Sequence, residues 1–217
     1  MYFASRTEAG RQLAARLADY RYENAVVVAL SDGAVLVGQE IAATLHCGLG
    51  MMMIDKIDVP GENQTFGTLN HEGGFAANPD FSSGQMEEYY GEFHGLIEQQ
   101  KQESFRHLNQ LLTDGGLVDR EMLRHHVVIL VSDGFNDGMP LDAAAEFLKP
   151  VAVERLIVAA PIASVPAVDR MHIIADEIQC LGVTENYLDT DHYYDINQVP
   201  AHSQIVEVIN QNVLNWR

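Results

Sequence analysis

The chain has 217 residues, of which 47% are hydrophobic, and its 31 acidic and 13 basic residues give a formal net charge of −18. This length is sufficient for one full α/β core, and the negative charge opposes binding to nucleic acid or to an anionic membrane. No apolar run reaches about 18 residues, so no membrane-spanning helix is expected. The absence of a signal-peptide pattern and the two well-separated cysteines, Cys47 and Cys180, predict a cytoplasmic protein with free thiols.

The first quarter of the chain predicts alternating helices and strands. Residues 5–20 have the apolar spacing of an amphipathic helix, and residues 25–30 form an all-apolar run that is typical of a central parallel strand. Residues 35–45 are predicted to be helical, and residues 49–54 are predicted to form the next strand. This order favours a parallel sheet with right-handed crossovers.

The middle of the chain has a different composition. Residues 55–82 are rich in Gly, Asn and Pro, which predicts a hairpin or a mobile flap. Residues 83–113 return to three- and four-residue apolar spacing, which predicts a long helix. We expect one domain over residues 1–217, into which the flap and the long helix are inserted.

A strand, a loop and a helix follow from Val127. Residues 127–132 are rich in apolar residues and predict a buried strand, and Met139-Pro140 opens a helix with proline where its missing N–H costs nothing. Between them lies the loop Asp133–Gly138, whose glycines allow a close backbone approach. A helix N-terminus favours bound phosphate, but the two aspartates of this loop disfavour it.

The remaining chain predicts two more strands and two more helices. Residues 156–160 predict a strand that ends at Pro161, and a helix is expected around residues 165–173. Residues 177–181 predict a short strand, and residues 202–214 predict a closing amphipathic helix.

Three loops are expected at the carboxyl ends of the strands, where open parallel sheets bind ligands. They are Ser31–Ala34, Asp55–Pro60 and Asp133–Gly138, with the flap between the second and the third. This order resembles the type I phosphoribosyltransferases. Residues 5–13, SRTEAGRQL, resemble the first helix of the predicted bacterial members of that family, and residues 193–199 resemble its C-terminal strand and tail.

The resemblance implies an α/β fold with a central parallel sheet flanked by helices. It also implies phosphoribosyl transfer, with Mg²⁺ bound to the diphosphate. The expected partner is a small-molecule ligand, phosphoribosyl diphosphate or a less anionic relative, and a homodimer is plausible for this fold.

The resemblance places the site residues as follows. Asp133 is what remains of an adjacent pair of ribose-binding acids, so it is the candidate catalytic residue and the candidate Mg²⁺ contact, while Ser132 replaces the other acid. Tyr193 is a candidate stacking residue on the acceptor side. The other residues implied to bind substrate lie in the diphosphate loop, in the basic pair and in the 5′-phosphate loop: Asp32, Gly33, Lys56, Gly134, Asn136, Asp137 and Gly138.

Four anion-contacting positions depart from the family pattern. Asp32 stands where the family commonly has Arg, and Asp55 replaces the first member of the basic pair. Asp137 replaces a Thr, and Pro140 replaces the next hydroxyl residue. A carboxylate a few ångströms from a phosphate is repulsive by about 1–4 kcal/mol at a surface-like dielectric. The phosphoribosyl diphosphate motif is therefore degenerate.

Several interpretations stay open from the sequence. Lys56 is either a diphosphate contact or a solvated lysine, and Asp133 either binds ligand or stabilises its loop. Asp137 suits a helix cap, and the acidic loop 189–195 either binds a divalent cation or is solvated. The altered loops favour a protein with weak or no phosphoribosyl transfer and a binding or assembly role. The alternative is an active, Mg²⁺-dependent phosphoribosyltransferase with an unidentified small acceptor.

Overall fold

The computed structural model of the chain describes residues 1–62, 64–112 and 115–212, with the backbone alone for Leu112. Residue 113, the predicted end of the long helix, and residues 213–214, the predicted end of the closing helix, lie outside the described residues.

The strands in chain order are β1 Phe3–Ser5, β2 Ala25–Ala29, β3 Gly48–Met51, β4 Ile54–Asp58, β5 Thr65–Asn70, β6 Phe75–Ala77, β7 Val127–Val131, β8 Arg155–Ser164, β9 Glu177–Thr184 and β10 Tyr194–Ile196. The α-helices are α1 Arg6–Arg16, α2 Asp32–Leu45, α3 Ser83–Leu112, α4 Arg120–Leu123, α5 Met139–Leu148, α6 Val165–Ile174 and α7 His202–Asn210. Short 3₁₀ helices cover Ala18–Tyr20 and Thr190–Tyr193. No helix of the described residues is both long enough and apolar enough to cross a membrane.

The centre of the molecule is a five-stranded parallel sheet in the order β3-β2-β7-β8-β9. β2 and β7 pair from Ala25 with Val127 to Ala29 with Val131, and every residue of both strands is buried. Their all-apolar sequences suit strands that are covered on both faces. The predicted α/β class with a central parallel sheet flanked by helices is therefore confirmed.

Helices cover both faces of this sheet. On one face α1 and α2 pack through apolar side chains such as Leu13 and Ile41. On the other face α5 and α6 pack through side chains such as Phe147 and Met171. This arrangement leaves the carboxyl ends of β2 and β7 open to the loops that follow them.

Two small sheets flank the central one. β4, β5 and β6 form an antiparallel sheet, and α3 packs against it through Ile97 and Leu108. α3 is kinked at Phe93, where φ is −113° and ψ is 17°. The other small sheet pairs β1 with β10 in parallel, Phe3 with Tyr194 and Ser5 with Ile196. It brings the first residues of the chain to the C-terminal part of the protein.

Pro161 does not end its strand, so the prediction of a strand over residues 156–160 was too short. β8 continues to Ser164 and pairs with β9 on both sides of the proline, Ala160 with Cys180 and Ile162 with Gly182. Only one N–H is lost at Pro161, and the neighbouring pairs keep the strand in register. The extension carries Ser164 to the start of α6, which its side chain caps by accepting from the N–H of Ala167.

Candidate functional site

The loops after β2 and β7 meet at the carboxyl edge of the central sheet. Ser31 follows β2, and its Oγ accepts a hydrogen bond from the N–H of Ala34 at 3.0 Å, which caps α2. The same hydroxyl donates to Oδ1 of Asp133 at 3.0 Å. One serine therefore begins a helix and joins the two loops.

Arg6, the first residue of α1, lies at the centre of this site and is only 3% exposed. Its Nε donates to Oδ2 of Asp133 at 2.7 Å, its Nη2 to Oδ1 of Asp191 at 2.5 Å and its Nη1 to the carbonyl of Asn197 at 2.8 Å. The guanidinium carbon lies 4.6 Å from the ring centre of Tyr194. Burial alone would lower the pKa of Arg6, but the two carboxylates outweigh burial and raise it. The group is therefore a permanent buried cation.

Both carboxylate oxygens of Asp133 accept hydrogen bonds from other protein groups. Oδ1 accepts from Ser31 and Oδ2 accepts from Arg6, while the main-chain carbonyl accepts from the hydroxyl of Tyr194 at 2.5 Å. Burial, with a contribution from the Asp133 carboxylate, raises the pKa of Tyr194, so this hydroxyl keeps its proton. Asp133 is therefore a structural anchor for three separate segments.

Gly33 allows α2 to approach this ion pair closely. A Cβ at Gly33 would lie 2.1 Å from Oδ2 of Asp133 and 2.8 Å from Nε of Arg6. The neighbouring Asp32 points to another partner, because its Oδ1 lies 2.8 Å from Nδ1 of His202. In the predicted diphosphate loop, Gly33 therefore packs against the ion pair and the Asp32 side chain is engaged by His202.

The backbone of the loop after β7 is held on both sides. The Ser132 hydroxyl donates to the carbonyl of Gly134 at 2.9 Å and accepts from the N–H of the same residue at 3.2 Å. Phe135 N–H donates to Ile162, and Ser164 Oγ donates to the carbonyl of Asn136 at 2.6 Å. These bonds fix the loop to the end of β8.

The last part of the loop carries the other charges. Lys56 on β4, whose side chain is 50% exposed, lies 3.2 Å from Oδ2 of Asp137. Oδ1 of Asp137 accepts from the N–H of Met139 at 3.0 Å, at the start of α5. The main-chain N–H groups of Asn136, Asp137 and Gly138 have no hydrogen-bond partner among the described residues. Lys56 is therefore half of an ion pair with this loop, and the loop keeps three amides that have no partner among the described residues.

Tyr193 lies apart from the loop amides and is buried. Its ring contacts those of Tyr2, Tyr187 and His192, and its hydroxyl accepts from the N–H of Leu188. Tyr187 is the residue that reaches the loop, since a Cβ at Gly134 would lie 2.2 Å from its hydroxyl. The role of Tyr193 as a stacking residue stays a prediction.

The residues present do not fit a directly ligated Mg²⁺ ion. Asp133 already pairs with the Arg6 cation and the neighbouring Ser132 brings no charge, so little negative charge remains there for a divalent ion. In the acidic loop, Asp189 caps a 3₁₀ helix and Asp191 binds Arg6. Within residues 1–62, 64–112 and 115–212, no three His, Cys, Asp or Glu side chains are grouped to hold a metal ion.

Arg6, the central cation of the site, was not predicted from the sequence. A signal was present, because Arg6 stands in the apolar stripe of α1, one turn before Ala9 and Gly10 and two turns before Leu13. A charged residue on a buried helix face needs a buried partner. The partner itself could not be identified, since Asp133 is 127 residues away.

Comparisons with known proteins give a consistent result. The family model described as "Phosphoribosyl transferase domain" matches residues 4–195. Two proteins of Mycobacterium tuberculosis, from strains CDC 1551 and H37Rv, are each named "Putative phosphoribosyl transferase" and are 31% identical over 186 residues, which is 83% of this chain. The chain spans about 40% of the length of these relatives. The chain is also similar to TT1426 from Thermus thermophilus, whose crystal structure is known, with 26% sequence identity and a TM-score of 0.73. The match covers 100% of this chain and 99% of TT1426.

Proposed function

Because the chain belongs to the phosphoribosyl transferase domain family, we propose that it is a binding protein on this fold, which holds a small ligand less anionic than phosphoribosyl diphosphate and performs weak or no phosphoribosyl transfer. Predictions of a cytoplasmic location and of a homodimer stand beside this proposal.

The buried ion pair of Asp133 with Arg6 carries the proposal. By family resemblance this carboxylate would contact the ribose, yet it already accepts hydrogen bonds from Arg6 and Ser31. A ribose hydroxyl that displaced Arg6 would leave a buried charge without its partner, which costs several kcal/mol, about 3–5 in comparable cases. Such a cost opposes the use of Asp133 during a catalytic cycle.

The charges around the site favour a less anionic ligand. Asp32 lies at the start of α2, and Asp55 lies on β4, with Oδ2 3.2 Å from Nδ1 of His107. Lys56, the basic residue retained from the family pair, is bound to Asp137. A diphosphate would meet these aspartates with its cation already engaged, so its binding is weakened.

The free amides of Asn136, Asp137 and Gly138 support a single phosphate as the preferred group. N–H groups without a partner just before α5 favour an anion near them, and Lys56 offsets the carboxylate of Asp137. A sugar monophosphate presents one such group and no diphosphate. We therefore expect ribose 5-phosphate to bind at least as tightly as phosphoribosyl diphosphate.

Isothermal titration calorimetry of the full chain tests this order, with each ligand measured with and without Mg²⁺. Diphosphate release from phosphoribosyl diphosphate is followed in parallel, with adenine, guanine, hypoxanthine and uracil as trial acceptors. The proposal predicts binding of ribose 5-phosphate and no release above the background without protein. Tighter binding of phosphoribosyl diphosphate with Mg²⁺, together with diphosphate release, would establish the active enzyme instead. Failure of both ligands to bind would also overturn the proposal.

A charge-reversal variant tests the reason for the weak diphosphate binding. Asp32→Arg combined with Asp137→Thr should increase the affinity for phosphoribosyl diphosphate about tenfold or more, since two repulsive carboxylates are removed and one cation is added. Asp19→Arg combined with Glu23→Thr, at two exposed positions, makes the same change of net charge elsewhere. An equal effect of the two variants would show that net charge, and not the loop, controls affinity.

A further inference from the structure

β6 is an edge strand with an open side. In the antiparallel sheet it pairs with β5, and no other strand of the described residues lies along its outer edge. Phe75 and Ala76 are half-buried and Ala77 is exposed, so the edge is accessible. The sequence has no charged residue from Gly73 to Pro79, although the formal net charge of the chain is −18. Charged side chains commonly protect strand edges from pairing with other chains, and this edge lacks that protection.

The register with β5 determines which main-chain groups of β6 point outward. Just before β6, the N–H of Asn70 donates to the carbonyl of Gly74, directly opposite, at 2.9 Å. Hydrogen-bonded pairs alternate along an antiparallel ladder, so Ala76, two residues after Gly74, also turns its main-chain groups to β5. Phe75 and Ala77 therefore turn their N–H and C=O groups to the open edge, where the described residues give them no partner.

We propose that β6 pairs with β6 of a second copy of this chain, antiparallel about a two-fold axis at Ala76. In this register Phe75 of each copy lies opposite Ala77 of the other, so the outward N–H and C=O groups of both residues find partners. The edge is thus complementary to itself. The inference extends beyond the proposed function and does not depend on it, since it gives the expected homodimer a surface that lies apart from the ligand site.

The side chains on both faces of the strand suit this pairing. Successive side chains point to opposite faces, so Phe75 and Ala77 share the face covered by α3, where Nζ of Lys101 lies 4.3 Å from the ring centre of Phe75. A ring on one copy then lies opposite a methyl group on the other, which avoids a collision of two rings. On the face covered by α5, Ala76 meets its own copy, and two methyl groups allow the close approach of such a pair, about 4.5 Å between Cα atoms.

The surface beside the edge offers apolar area for burial. On the α3 side, two cavities of about 260 and 340 Å³ are both lined by Phe75 and Lys101. Tyr90 lines the first and Phe105 the second, and these side chains are 37% and 39% exposed. On the α5 side, Ala145 lines a third cavity together with all three residues of β6. A second copy at this edge covers apolar surface as well as main-chain groups, and such burial stabilises an interface.

Sedimentation velocity of the full chain at micromolar to submillimolar concentration tests the association, and we expect a dimer. Ala77→Pro removes an outward N–H and no hydrogen bond to β5, so it should weaken the dimer about tenfold or more while the fold is kept. Ala77→Ser is the matched control, because it keeps the N–H and should dimerise as the unmodified chain does. A monomer at every concentration would overturn the proposal, and so would an unchanged dimer in folded Ala77→Pro.

Single cysteine substitutions test the register. Ala76→Cys places two thiols across the axis within reach of a disulfide, whereas in Ala77→Cys the two Cα atoms are about 8 Å apart, which is too far. After oxidation, non-reducing electrophoresis should show a covalent dimer for Ala76→Cys and little for Ala77→Cys. The unmodified chain controls for Cys47 and Cys180. Equal cross-linking of the two variants, or none in folded Ala76→Cys, would overturn the proposed pairing; if Ala76→Cys does not fold, the comparison of Ala77→Pro with Ala77→Ser decides.

Discussion

Replacement of Arg6 by methionine should destabilise the protein by about 3–5 kcal/mol, the usual cost of breaking a buried ion pair from one side. Methionine keeps the apolar stem of the side chain but removes the donors to Asp133, Asp191 and Asn197. The lost stacking on Tyr194 acts in the same direction. Of the two carboxylates only Asp133 is stranded in the interior, because the side chain of Asp191 is 57% exposed.

Urea denaturation followed by far-ultraviolet circular dichroism measures this loss, at pH 7 and with the slope m checked for constancy. Asp191→Asn is the internal comparison and should cost about 0–1 kcal/mol, since that partner is accessible to water. The double variant Arg6→Met, Asp133→Asn should lose clearly less than the sum of the two single variants, because each single change strands the other group.

Two results would refute this reasoning. A loss below about 1 kcal/mol for Arg6→Met would place the ion pair in a solvated environment. Strict additivity in the double variant would show that Arg6 and Asp133 are not energetically coupled. Either result would also remove the main support for the proposed loss of transferase activity.

Other predictions concern single contacts. Gly33→Ala should destabilise the protein by about 1–3 kcal/mol, because the new Cβ collides with the buried ion pair. Gly95→Ala, in open space on α3, should stabilise the protein by about 0.5–1 kcal/mol in the same urea assay. Tyr20→Phe removes the hydrogen bond that lowers the pKa of Glu177 and should reduce the free energy of unfolding by about 1 kcal/mol. This loss should be complete above pH 4.5 and should shrink as the pH falls through the lowered pKa of Glu177. A difference in unfolding free energy that stays constant from pH 3 to 7 would contradict this. Burial lowers the pKa of His71, so an NMR titration should find it below 6.5, and stability should fall as the pH drops below 6.5 because only the unfolded chain takes up the proton.

The sequence predicted the central sheet well because its strands are locally distinctive. The runs 25–29 and 127–131 are apolar throughout, which is typical of strands covered on both faces. The proline at residue 161 misled the prediction, since tertiary pairing with β9 extended a strand that local propensity would end.

The site was harder to predict because its contacts are between distant residues. The aspartates at 133 and 137 were recognised from their loop, but their partners lie 127 and 81 residues away in Arg6 and Lys56. Charge patterns along a chain identify which groups need partners but not which partner each one receives. The loop therefore repels anions less in the folded protein than its sequence predicted, because Arg6 and Lys56 pair with its two aspartates.

The parallel pairing of β1 with β10 has a consequence for the order of folding. Arg6 reaches Asp191 and Asn197 only after a loop of almost the whole described chain has closed, whereas the central sheet needs shorter connections. During synthesis, the contacts of Arg6 therefore stay incomplete until residues near 197 have emerged and β10 has docked. We therefore expect the ligand site to form last, on a sheet that is already folded.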